Sequence, residues 1–86
     1  MGSYKVLVKK SAAGELERIP KKDLSRIARR IASLADHPRP DGSEKLSVLE
    51  RYRVRQGEYR IVYAIDDSKR TVTIFKIGHR KEVYRS

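Results

Sequence analysis

The chain contains no cysteine. Disulfides, zinc–thiolate centres and thiol nucleophiles are therefore excluded, and the absence suits a cytoplasmic protein. No apolar run approaches the roughly 20 residues that a membrane-spanning helix needs. The N-terminus has no charged segment followed by an apolar one, so no secretory signal is expected. Acidic residues are scarce, with 11 Asp and Glu against 21 Lys and Arg in 86 residues, a formal net charge of +10. HxxxH, a carboxylate cluster at metal-ligand spacing, a glycine-rich phosphate loop and GxSxG are all absent from the sequence, so neither a metal nor a cofactor is expected. An apolar share of 38% supports one thin core, and the length predicts a single domain over residues 1–86, with Met1-Gly2-Ser3 reading as a cloning remnant. A charge surplus of this kind favours an anionic partner.

Tyr4 to Lys10 is rich in β-branched and apolar residues and predicts a first strand. Ser11 is placed to cap a short helix reaching Ile19, with Leu16 and Ile19 on one face, and Pro20 either ends that helix or begins the next. From Lys22 to Asp36 the apolar residues Leu24, Ile27, Ala28, Ile31, Leu34 and Ala35 recur at helical spacing, opposite Lys22, Arg26, Arg29, Arg30 and Ser33. His37 to Ser43 reads as a loop. Glu44 to Glu50 is ambiguous, with Leu46 and Leu49 as candidate packing anchors. Arg51-Tyr52-Arg53-Val54-Arg55 alternates with period two. Tyr59 to Ile65 and Thr71 to Ile77 are further strands, and Gly78 is read as breaking the last. The expected fold is α+β, with two N-terminal helices packed on a small, mostly antiparallel four-stranded sheet in the order β-α-α-β-β-β.

Parity directs the charge. Tyr52 and Val54 face the core, which leaves Arg51, Arg53 and Arg55 on the other side. A two-residue hairpin loop at Gln56-Gly57 or Gly57-Glu58 then brings Arg60 onto the same face, directly across from one of them. Like charges so opposed are destabilising. Two readings follow: a solvated outer face whose arginines splay into water, or an anion site where guanidiniums converge on a phosphate. Arg26, Arg29 and Arg30 form either an ordinary exposed helix face or a contact to a nucleic-acid backbone. Lys45, Arg51, Lys76 and Lys81 extend the basic surface available to a nucleic acid. Asp66-Asp67 is expected in a hairpin turn for turn reasons, and His37, before a proline, reads as incidental.

The segment from Tyr52 to Asp67, with its tyrosine–basic alternation and Gly-x-Tyr-Arg turn, resembles the RelE/ParE superfamily of bacterial and archaeal toxins. So does the ending Gly78-His79-Arg80-Lys81-Glu82-Val83-Tyr84. The resemblance covers nearly the whole chain. It implies the toxin of a type II toxin–antitoxin pair. RelE-type members are ribosome-dependent endoribonucleases that cut mRNA in the decoding site, using the concave sheet face and the C-terminal segment. Position by position, the implied catalytic residues are Arg53, Arg55, Arg60, Arg80 and Tyr84. The RelE pattern has lysines where this chain has Arg53 and Arg55, so the resemblance leaves the general base open. Because some relatives use a histidine near the C-terminus, His79 becomes a candidate. For Tyr84 itself, base stacking, proton transfer and simple packing on the sheet edge all remain open.

The implied partners are a small cognate antitoxin, the 70S ribosome and mRNA, with operator DNA reached only through the antitoxin and no membrane. Two other functions fit the same chain: a ParE-like inhibitor of DNA gyrase without nuclease chemistry, and a basic RNA-binding module without activity. Residues 51–86 carry a net charge of +6 against +4 for residues 1–50, so the surplus is concentrated in the sheet.

Overall fold

The computed structural model describes residues 3–46 and 50–79. β1 spans Lys5–Val8 and gives way at once to α1, Lys10–Leu16, with Lys9 as the N-cap. Ser11 therefore lies inside the first turn and does not cap it. The cause is β1 itself: pairing runs to Val8, and the Lys9 N–H still bonds the Ile74 carbonyl at 3.0 Å, which fixes where the helix can begin. α1 closes with the Arg18 and Ile19 amides bonded three residues back. Pro20, which has no N–H to donate, is the N-cap of α2, Lys21–Ser33. Asp23 in the first turn of α2 and Arg30 in the last both suit the helix dipole. Residues 34–36 extend α2 only as tight turns, and its buried stripe is Ile27, Ile31 and Leu34, whereas Ala28 is exposed.

The remaining strands are β2 (Glu44–Lys45), β3 (Arg51–Gln56), β4 (Tyr59–Asp66) and β5 (Thr71–His79). They form a five-stranded sheet in the order β1-β5-β4-β3-β2, with β1 parallel to β5 and every other pair antiparallel. The α+β class and the order of helices and strands match expectation. The fifth strand, β2, was not anticipated, because two charged residues have no period to read. Leu46, a candidate anchor, is 42% exposed, and Leu49 lies outside the described residues.

Both helices pack on one face of the sheet. Ala12, Ile19, Ile27, Ile31 and Leu34 meet Tyr52, Val54, Ile61, Tyr63, Ile65, Val72, Ile74 and Ile77. Each fully buried isoleucine contributes about 1.5–3 kcal/mol. One irregularity organises the far end of the sheet. Val62 pairs with Lys76 and Tyr63 with Ile74, so Phe75 is an extra residue with no partner on β4, a β-bulge. Simple alternation after Val72 and Ile74 would turn Ile77 outward. The bulge turns it inward, where it pairs with Ile61 at 1% exposure. Gly78 does not break β5; it continues the strand opposite Arg60.

Candidate functional site

Gly57 and Glu58 form the β3–β4 loop. Gly57 occupies its first position with φ 61°, the left-handed value that favours glycine at the start of a type II′ hairpin. The even loop fixes the parity: Gln56 pairs with Tyr59, Arg55 with Arg60 and Arg53 with Val62. Arg53, Arg55 and Arg60 therefore share the face of the sheet away from the helices. Arg60 stands between Arg55 on β3 and Gly78 on β5, and only 8% of it is exposed. Gly78 brings no side chain to the outer face, so the Arg60 guanidinium is not crowded from that strand.

The wall opposite the arginines comes from the loop before β2. Gly42, Ser43 and Glu44 join Arg53, Arg55 and Arg60 around an open concavity of about 450 Å³. Glu44 pairs with Arg53 across the ladder, and an Arg53 Nη2 donates to Glu44 Oε1 at 2.6 Å. That hydrogen bond, reinforced by the field of Arg60, holds the Glu44 carboxyl below its ordinary value. Sequence reasoning missed Glu44, which sits in the ambiguous stretch at the start of a strand too short to alternate.

The loop that carries this wall is clasped to the sheet. Arg39 donates from Nε to the Tyr52 hydroxyl at 3.0 Å, from Nη2 to Glu50 at 3.1 Å and from Nη2 to Asp67 at 2.9 Å. Tyr4 donates its hydroxyl to Asp67 at 2.6 Å, and the Lys45 ammonium lies 2.8 Å from Glu50. One residue before Arg39, the Pro38 carbonyl accepts the Tyr63 hydroxyl at 2.7 Å. Asp66 behaves as a turn aspartate, accepting from the Ser68 hydroxyl and the Lys69 amide, but Asp67 ties the turn to Arg39.

Hydrogen bonds from Arg39 depress the Asp67 carboxyl, and those from Lys45 and Arg39 depress that of Glu50. Depressed carboxylates stabilise the fold above their ordinary range and cease to do so as pH falls through it. The melting temperature is therefore expected to fall between about pH 5 and pH 3, and to fall less steeply in Asp67→Asn. Equal slopes in a pH series of melting curves would contradict the clasp.

The other basic residues are dispersed. Arg26, Arg29 and Arg30 line a separate concavity with Ser33 and Gln56, where Arg30 Nη2 donates to the Arg55 carbonyl at 3.4 Å. Lys45 is engaged by Glu50. The Arg51 guanidinium lies 4.2 Å from the Phe75 ring centroid. Lys76 and His79 line a third concavity with Glu15, Arg18 and Tyr59. His79 is thus not brought to the arginines. It pairs with Tyr59, their rings meeting edge to face at 5.9 Å, because the bulge reverses the parity of β5 and turns Gly78 outward in its place. Arg80, Lys81 and Tyr84 lie outside the described residues.

A fork of guanidiniums beside one ionised carboxylate can bind a phosphate and hold a proton acceptor next to it. Comparison with known proteins identifies the family. The family described as "ParE toxin of type II toxin-antitoxin system, parDE" matches residues 6–84. Toxin RelE of Mycobacterium tuberculosis is 34% identical over 95% of this chain and 87% of its own length. Toxin RelG of the same organism is 29% identical over 95% and 97%. Among solved structures, the toxin–antitoxin complex RelBE2 from Mycobacterium tuberculosis superposes with a TM-score of 0.81 at 27% identity, covering 91% of this chain and 99% of that one. The match over residues 6–84 spans both the arginine-bearing hairpin and the helices behind it, and the chain belongs to the ParE toxin family, within the RelE/ParE superfamily of type II toxin–antitoxin toxins.

Proposed function

We propose that this toxin is a ribosome-dependent endoribonuclease that cuts mRNA and so stops translation. The observation that carries the reading is the convergence of Arg53, Arg55 and the nearly buried Arg60 on one open concavity with Glu44. RNA supplies its own nucleophile. The 2′-hydroxyl attacks the adjacent phosphorus, the bond to the 5′-oxygen breaks, and the departing oxygen takes a proton. Arg53, Arg55 and Arg60 orient the phosphate and offset the negative charge that grows on it in the transition state. A guanidinium does not accept protons at neutral pH. Glu44 does so in this reading: its bond from Arg53 keeps it ionised in the free protein, and a phosphate that competes for Arg53 returns basicity to the carboxylate. Arg80 and Tyr84 are proposed to complete the site from the C-terminal segment, with Tyr84 acting by stacking or proton transfer. The helix arginines add contacts to ribosomal RNA.

The natural partner is an antitoxin whose acidic segment is drawn to a chain of charge +10; the RelBE2 relative was solved with its antitoxin. Operator DNA is reached through that antitoxin, and a ribosome-bound substrate places the activity in the cytoplasm. Purified ribosomes translating a defined mRNA provide the test. Primer extension is expected to show new codon-associated 5′ ends that appear only when ribosomes are present. No cleavage would refute the nuclease reading. The family's ParE description favours the second reading, and loss of gyrase supercoiling with the same sample would establish it.

A further inference from the structure

The outer face of the sheet carries a second chemical feature, next to the arginine concavity but separate from it. Phe75 is the only phenylalanine in the chain, and it is the residue that the bulge adds to β5. A bulged residue contributes nothing to the ladder. If Phe75 were removed, Ile74 would still pair with Tyr63 and Lys76 with Val62. The extra residue therefore serves its side chain and not the register.

That side chain lies on the open face. It lines a broad concavity with Leu7, Arg51, Ala64 and Thr73. The Arg51 guanidinium covers the ring from β3, 4.2 Å from the centroid, and the Lys9 ammonium covers it from the end of β1 at 4.7 Å. Ala64 separates β3 from β5 in that row, and its small side chain lets Arg51 reach across.

Charge distinguishes this group from its surroundings. The acids that line the same concavity are already engaged: Glu50 with Arg39 and Lys45, Asp67 with Arg39 and Tyr4, Asp66 with Ser68 and the Lys69 amide. Neither the Arg51 nor the Lys9 side chain has a carboxylate partner among the described residues. Two cations with no carboxylate partner among the described residues lie on one aromatic ring, and they share a face with three arginines. Arg51 is two residues from Arg53 on the same strand, about 7 Å away, and β5 is two strands from β3, about 10 Å. That spacing lies within the reach of a nucleotide next to a phosphate at Arg53 and Arg60.

We propose that Phe75, with Arg51 and Lys9 on its ring, is a stacking subsite for a nucleobase adjacent to the bound phosphate, so that single-stranded RNA crosses the sheet from the arginine concavity toward β1. This rests on the nuclease reading above. An aromatic ring and a guanidinium plane both stack on bases with little regard to sequence, and the outward N–H edge of Arg51 takes the next phosphate.

The test uses a short single-stranded RNA with 2-aminopurine beside a 2′-O-methyl nucleotide, which cannot supply the attacking hydroxyl. Wild-type protein is expected to quench the 2-aminopurine on binding. Phe75→Leu is expected to abolish the quenching and weaken binding by about 5- to 150-fold, whereas Phe75→Trp retains both. Deleting Phe75, which leaves every strand pair in place, gives the same loss as Phe75→Leu and provides the test if the leucine variant does not fold. Circular dichroism checks each variant. Unchanged quenching and affinity in folded Phe75→Leu would overturn the subsite, as would a wild-type protein that leaves the fluorescence unaltered. Stacking that persists where ribosomal cleavage is absent would overturn the nuclease reading and leave the subsite standing.

Discussion

Arg60→Ala is expected to slow cleavage of ribosome-bound mRNA by about 10²–10³-fold, the usual consequence of removing one donor aimed at developing charge. Cells induced for the variant without antitoxin should keep growing. The fold should survive, because Arg60 lies on the outer face and its removal relieves the like-charge pair with Arg55. Arg60→Lys separates charge from geometry. Lysine keeps the positive charge but lacks the planar fork, so activity should recover only in part. Rates on purified ribosomes, measured beside circular dichroism, decide the matter. Full arrest by a folded Arg60→Ala protein would remove Arg60 from the site. A loss that is small and tracks salt concentration would instead support a binding module without chemistry.

Tyr63→Ala should have the largest effect on stability. Tyr63 is fully buried, stacks on Tyr52 with ring centroids 5.9 Å apart, and donates its hydroxyl to Pro38. Deleting so large a buried ring costs about 3–5 kcal/mol, equivalent to a melting-point fall of roughly 12–40 °C for a domain of this size. Tyr63→Phe keeps the ring and loses only the hydroxyl, so it should cost far less. It should also change the alkaline limb of the stability curve. Burial pushes the Tyr63 phenol up to about 12, so the folded protein keeps its proton after the unfolded chain, at about 10, has lost it. Stability then declines as pH climbs between those two values. That decline should be smaller in Tyr63→Phe. An equal decline in both proteins would assign it to other groups.

The sequence made the central hairpin legible, because Arg51 to Arg55 and Tyr59 to Ile65 alternate cleanly and a Gly-containing even loop joins them. The shared face of Arg53, Arg55 and Arg60 followed from counting. The misses have physical causes. Glu44 and Lys45 belong to a strand of two residues whose existence depends on pairing with β3, which no local pattern encodes. The bulge at Phe75 sits in a run of good β-formers, and nothing in Thr71 to Ile77 marks where the extra residue falls. Because it bulges out, Gly78 and not Ile77 stands opposite Arg60, and His79 turns to the helix side beside Tyr59. The clasp of Arg39 on Glu50, Tyr52 and Asp67 joins positions 11 to 28 residues apart and was equally invisible to local reading.

The place of β5 in the sheet has a consequence for the toxin's synthesis. β5 is the last of the described strands, yet it lies inside the sheet, between β1 and β4, with Lys5 matched to Thr71. A nascent chain that has emerged only as far as β4 has the arginines of the hairpin but neither Gly78 beside Arg60 nor a partner for β1. The helices and β1 must wait for β5 before their core can close. The outer face beside Arg60 is therefore complete only once β5 has been made, and a product that stops before β5 lacks it.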